Sequence, residues 1–124
     1  MIKGIKILSD LEGDGEVIQR GNYYTISTKI WLNHGDPVKW NRPDGVYDQG
    51  TISDDKTELI SDYRIDREFL VAGVFYGIEG MKVGGSRKIK VPPHLAYKET
   101  GVPNMIPPNA VLTIKIKIIK RRTV

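Results

Sequence analysis

Apolar and polar residues alternate most clearly in two stretches. In Tyr23–Leu32, YYTISTKIWL, residues Tyr24, Ile26, Thr28, Ile30 and Leu32 share one face, and Tyr23, Thr25, Ser27, Lys29 and Trp31 share the other. In Val111–Lys120, VLTIKIKIIK, residues Leu112, Ile114, Ile116 and Ile118 alternate with Thr113, Lys115 and Lys117. Successive side chains of a strand point to opposite faces, so a period of two predicts strands with one buried and one solvated face. Ser86–Val91, SRKIKV, repeats the pattern with Ile89 and Val91 inward and Lys88 and Lys90 outward. Leu59–Ile65 is a further candidate strand, and Met1–Leu8 a candidate short edge strand. Residues 33–56 are rich in Asn, Gly, Pro and Asp and read as loop, with room for a short strand near Val46–Tyr47 or Thr51–Ser53.

The period changes once. In Glu68–Lys82, EFLVAGVFYGIEGMK, the residues Leu70, Val74, Ile78 and Met81 recur at helical spacing, and Gly84-Gly85 follows as a stop. Gly73, Gly77 and Gly80 each lower helix propensity by roughly 1 kcal/mol relative to alanine. Such a helix needs tertiary support, which predicts that it lies against a sheet with its small residues permitting close approach. One-sided strands and one short helix give an α+β domain with an antiparallel sheet. No internal repeat or second hydrophobic pattern appears, so residues 1–124 are read as a single domain with an extended acidic loop around 39–62.

Composition narrows the chemistry. The chain has no cysteine, which excludes disulfides, thiolate metal sites and a cysteine nucleophile. No apolar run approaches membrane-spanning length and the N-terminus is too charged for a signal peptide, so the expected compartment is the cytoplasm. The two histidines, His34 and His94, stand sixty residues apart with no ligand spacing around either. GIEGMKVGG matches neither a phosphate-binding loop nor a dinucleotide fingerprint, and no nucleophile elbow is present. No metal or cofactor is expected.

The formal charge of +4 hides an asymmetry: residues 82–124 carry ten Lys/Arg and one acid, whereas residues 1–81 carry nine Lys/Arg and fourteen acids. These halves are either complementary to each other or leave a basic face for an acidic partner or nucleic acid. Lys88, Lys90, Lys115 and Lys117 bring no aromatic residue on their own strands, so they are read as a solvated face that protects edge strands, and a nucleic-acid partner is not expected.

Five of the seven prolines lie in VPPHLAYKETGVPNMIPP, residues 91–108, around Tyr97. Proline is rejected by sheet interiors, so this is a long loop. Here the chain resembles a known family. GIEGMKVGGSRKIKVPPHLAY (Gly77–Tyr97), TGVPNMIPPNAVL (Thr100–Leu112) and the alternating TIKIKII resemble the C-terminal half of the FKBP family of peptidyl-prolyl cis-trans isomerases. GDGEVIQRG (Gly13–Gly21) and the strand after it resemble the family's opening more loosely.

The resemblance implies an antiparallel sheet of about five strands wrapped around one short helix, with an apolar pocket between them that binds a proline-containing segment. It implies a catalytic role for Tyr97, whose hydroxyl would bond the ligand. Leu70 and Val71 match the apolar pair entering the helix, with the Val71 N–H as a second donor, and Ile106, with Met105 beside it, matches the loop isoleucine over the pocket. The family's pocket tryptophan falls at Val74, its last-strand aromatic at Ile114, and its long-strand tyrosine at Thr28. Its Phe-Asp pair falls at Val38-Lys39 or, if the extra residues come first, at Tyr47-Asp48; a further pocket phenylalanine falls near Tyr63. Phe75, Tyr76, Trp31 and Trp40 are the aromatics available to refill the space left by these replacements. The implied function is isomerisation of X-Pro bonds by a monomer that binds proline-containing peptides, protein clients or a macrolide inhibitor. The alternative is a weakened or inactive module that keeps the fold and binds a peptide or protein partner.

Overall fold

The computed structural model describes residues 4–40, 50–67 and 70–122. The two strongest alternating stretches form its centre. Strands β2 (Tyr23–Leu32) and β6 (Leu112–Arg122) pair antiparallel, with Ile26 opposite Ile118, Thr28 opposite Ile116 and Ile30 opposite Ile114. All six of these side chains face inward and are buried. Around this pair run β1 (Lys6–Leu11), β3 (Thr51–Ile52), β4 (Glu58–Arg64) and β5 (Ser86–Val91), giving one antiparallel sheet in the order β1-β5-β6-β2-β4-β3.

The expected class, an antiparallel sheet against one short helix, is the observed one, but among the described residues the sheet has six strands. The additional strand is β3, a two-residue edge at the Thr51–Ser53 alternative; the Val46–Tyr47 alternative lies outside the described residues. The N-terminal strand begins at Lys6, later than Met1–Leu8 suggests, because it is the pairing with β5 that defines it.

Helix α1 covers Ala72–Gly77, less than half of the periodic stretch. It begins after Val71, whose backbone is extended, and it ends in turns at Ile78–Gly80, where Gly80 adopts φ +83°. The stop therefore comes before Gly84-Gly85: a left-handed residue closes a helix, and glycine reaches that conformation without steric penalty. Helical spacing extends beyond the helix because Ile78 and Met81 still drop into the core from the turn that follows.

The glycines of α1 provide the close approach that the sequence predicts. A β-carbon on Gly73 would lie 2.3 Å from Val91 Cγ1 and 2.9 Å from the Leu95 carbonyl oxygen, and one on Gly77 would lie 2.5 Å from Ile89 Cδ1. The helix thus rests directly on β5. Gly73→Ala is expected to lower stability by about 1–2 kcal/mol, because the overpacking penalty of about 1–3 kcal/mol exceeds the gain in helix propensity. Urea unfolding of the two proteins measures this, and an unchanged midpoint would contradict the packing.

Arg87 ties the end of the helix to the outer strand. It is 7% exposed, and its Nη1 donates to the carbonyls of Gly77 at 2.9 Å and Glu79 at 2.8 Å. Its Nε and Nη2 donate to the two Asp10 carboxylate oxygens, both at 3.2 Å. The charge asymmetry is in part internally complementary. Asp10, Glu12, Glu16 and Asp62 of the acidic part pair with Arg87, Lys82, Arg121 and Arg122 of the basic part.

Candidate functional site

The site lies where α1 crosses the inner face of the sheet. Strand β2 contributes Ile26, Thr28 and Ile30 from its buried face, β4 contributes Tyr63, and β6 contributes Ile114. Leu70 and Val71 enter from the approach to α1 and Val74 from its first turn, while Trp40 and Tyr97 enter from loops. Together they surround a cavity of about 80 Å³ with no charged side chain in its wall.

Each loop residue is held by local structure. After β2 the chain turns at 33–36, with the Leu32 N–H donating to Asp36 O at 2.8 Å, and runs back beside the strand, with the Val38 N–H donating to Ile30 O at 2.8 Å. The Trp40 N–H then donates to Lys56 O at 2.7 Å. Lys56 sits at φ +66° in a turn organised by Asp55, whose Oδ1 accepts from the Thr57 N–H at 3.0 Å, the Thr57 hydroxyl at 2.8 Å and the Ser53 hydroxyl at 2.8 Å. The Thr57 N–H first, and then the two hydroxyls, stabilise the ionised carboxylate and hold its pKa down at about 2.

A depressed carboxylate pKa favours the fold above the unfolded value of 3.8, and this contribution is lost as pH falls through about 2. The turn holding Trp40 is therefore expected to loosen between those values. The Trp40 indole signal followed by NMR should move over that range in the wild type and should lose this step in Asp55→Asn. A step of the same size in both proteins would contradict the linkage.

Tyr97 stands in a loop fixed at several points. Residues Pro93–Leu95 form a 3-10 turn, the Lys98 N–H donates to Pro93 O, and the Gly101 N–H donates to Tyr97 O, both at 2.9 Å. Val102 and Ile106 exchange two backbone bonds of 2.8 Å, and the Asn109 N–H returns to Lys98 O at 2.8 Å. The prolines thus sit in a hydrogen-bonded loop that presents Tyr97 half-buried at the cavity.

Of the residues singled out in the sequence, Thr28, Tyr63, Leu70, Val71, Val74, Tyr97 and Ile114 converge on this cavity. Val38 does not line it; it is a core residue, 2% exposed, on the chain that returns beside β2. Met105 and Ile106 instead line an open concavity of about 490 Å³ on the proline loop, with Val102, Pro103, Pro107 and Pro108 among its walls. Tyr47 and Asp48 lie outside the described residues. Among the described residues the Val71 N–H donates to no backbone carbonyl.

The aromatic that refills the wall is Trp40. Phe75 and Tyr76 pack edge to face, with Arg20 over the Phe75 ring, and Trp31 lies on the outer face of the sheet beneath Lys88. Ile26 and Ile30 complete the wall; their place on the Thr28 face was the available signal. Among the described residues no group of three or more His, Asp or Glu side chains is placed to hold a metal, and no helix is long and apolar enough to cross a membrane.

Residues 33–119 match the family described as FKBP-type peptidyl-prolyl cis-trans isomerase. The peptidyl-prolyl cis-trans isomerase FPR2 of Saccharomyces cerevisiae is 33% identical over 87 residues, covering 68% of this chain and 64% of that protein. The 46 kDa FK506-binding nuclear protein of Spodoptera frugiperda is 43% identical over 56 residues, covering 45% of this chain and 14% of that protein. The chain therefore spans less than two thirds of either relative. Among solved structures, FkpA from Escherichia coli superposes with a TM-score of 0.66 at 23% identity, covering 98% of this chain and 53% of that one. A peptidyl-prolyl cis-trans isomerase from Pseudomonas syringae gives the same TM-score at 15% identity, covering 96% of this chain and 74% of that one. At these identities the two structures speak to the fold.

Proposed function

The chain belongs to the FKBP-type peptidyl-prolyl cis-trans isomerase family, and on that premise we propose that it catalyses cis-trans isomerisation of X-Pro bonds in peptide or protein segments bound at the Tyr97 cavity. The observation that carries this reading is the convergence of Tyr97, Trp40 and eight further uncharged residues on one small cavity.

The chemistry asks little of the protein beyond such a cavity. An X-Pro amide must rotate through a twisted state that has lost its resonance, over a barrier of about 18–20 kcal/mol. The twisted amide is less polar than the planar one. An environment poor in hydrogen-bond donors to the ground-state carbonyl, closed to water and tight around the proline ring lowers the barrier by favouring the twisted form. In this reading Ile26, Thr28, Val74, Ile114 and the Trp40 indole hold the ring. Tyr97 is the catalytic residue: its hydroxyl bonds a ligand carbonyl and fixes the peptide, with the Val71 N–H as the second donor at the helix entrance. Met105 and Ile106, on the outer concavity, contact residues flanking the proline. No nucleophile or proton relay takes part. A macrolide that imitates a prolyl amide would compete for the same cavity.

A protease-coupled assay on X-Pro tetrapeptides tests the proposal. The expected result is acceleration proportional to protein concentration. A rate equal to the uncatalysed one at high protein concentration would overturn it.

A second reading has its own observation. The family's aromatics are replaced by smaller residues at Thr28, Val74 and Ile114, and all three line the cavity. A module that binds proline segments without accelerating them would give peptide-induced NMR shifts at Tyr97 and Ile106 in the absence of catalysis.

A further inference from the structure

The outer face of the sheet carries a set of lysines that internal pairing leaves over. Lys88 of β5 stands directly opposite Lys115 of β6, and Lys29 of β2 stands opposite Lys115 from the other side. The row above brings Lys90 beside Thr113 and Trp31, and the row below brings in Lys117. Adjacent strands lie about 4.8 Å apart, so like charges meet at close range at Lys88, Lys115 and Lys29, an arrangement that disfavours the sheet and that Glu58 of β4, opposite Lys29, offsets only at the far end of the row. Among the described residues, the acids that pair with the basic part of the chain go to Lys82, Arg87, Arg121 and Arg122, and none forms an ion pair with Lys88, Lys90, Lys115 or Lys117.

Edge protection does not account for these lysines. Both β5 and β6 are interior strands, each hydrogen-bonded on both sides. The face is not bare of aromatics either. Trp31, half-buried on β2, projects among the lysines, with Lys88 Nζ 4.8 Å from its ring centre. The sequence hides this because the indole and the ammonium come from strands far apart in the chain and are joined only by the β2-β6-β5 order.

From these observations we infer that this face binds single-stranded nucleic acid. A row of unpaired cations at strand spacing follows a chain of phosphates, and an indole among them gives a base a surface on which to stack. The indole already carries Lys88 on its ring; an acidic polypeptide would engage the lysines alone, whereas a base can also stack beside them on the aromatic surface. The surface is on the opposite side of the sheet from the cavity, so the inference stands independently of the isomerase reading.

The test is fluorescence anisotropy of a labelled twelve-nucleotide oligo-dT, titrated with the protein at several salt concentrations. Four phosphate contacts give a slope of log K against log salt near −3, so affinity falls about 50-fold between 50 and 200 mM salt. Lys115→Gln with Lys117→Gln should reduce that slope by about half without lowering the unfolding midpoint, since it also relieves like-charge repulsion. Trp31→Leu should weaken binding about tenfold at every salt concentration without altering the slope. Absence of binding at 50 mM salt would overturn the inference, and so would a slope indifferent to the two lysines. Equal competition by polyglutamate of matched charge, together with no effect of Trp31→Leu, would assign the face to acidic proteins and overturn it too.

Discussion

Trp40→Ala is expected to lower kcat/KM for X-Pro isomerisation at least tenfold and stability by about 3–5 kcal/mol. Trp40 is 6% exposed and forms one wall of the cavity. Removing its indole leaves a void that the surroundings only partly close. The stability loss combines the lost burial with that void. The catalytic loss has a different origin: the proline ring loses contacts on one side, and water reaches the amide, where it stabilises the planar ground state through its carbonyl. Trp40→Phe, which keeps an apolar ring, should retain most of both properties. Peptide kinetics at a temperature where each variant is folded separates the effects. Full activity in Trp40→Ala would remove the indole from the pocket's function.

The second large effect falls at a residue that does not line the cavity. Arg87→Met keeps a long apolar stem but removes four hydrogen bonds, leaving the Gly77 and Glu79 carbonyls and the Asp10 carboxylate without their donor. Losing one partner of a largely buried charged network costs far more than losing a surface pair. Asp10, 45% exposed, recovers some hydration, so the expected loss is about 3 kcal/mol. That corresponds to a fall in Tm of about 12 °C for a domain of this size. Thermal unfolding followed by circular dichroism measures it, and a fall below about 3 °C would mean that the strap between β1 and the helix end contributes little.

The strands were legible where one face is buried and the other solvated, because period two then appears directly in the letters. That holds for β2, β5 and β6. Helical spacing overextends the helix because Ile78 and Met81 keep it while lying beyond the last helical residue, and a core contact does not require helical backbone. The edge strand β1 was misplaced for a related reason: its six residues are all exposed, so nothing in their pattern marks its bounds.

At the candidate site, Tyr97, Leu70, Val71 and Val74 came from motif and spacing. Trp40 could be named only as one of four aromatics, since its place depends on a return along β2 and on the Asp55 turn, neither of which is periodic. Val38 matches a motif position but is a core residue that does not line the cavity. Strand by strand, the lysine pattern reads as edge protection, because strand order is not written in any single strand.

The most direct test of the central claim, that the Tyr97 cavity catalyses prolyl isomerisation, is exchange NMR on one X-Pro peptide with catalytic amounts of wild type and of Tyr97→Phe. Wild type is expected to raise cis-trans exchange well above the uncatalysed rate. A reduction of about two- to tenfold is expected in the variant, the value of one hydrogen bond to the bound peptide. Exchange at the uncatalysed rate with wild-type protein, under conditions where the peptide is seen to bind at Tyr97, would contradict the claim.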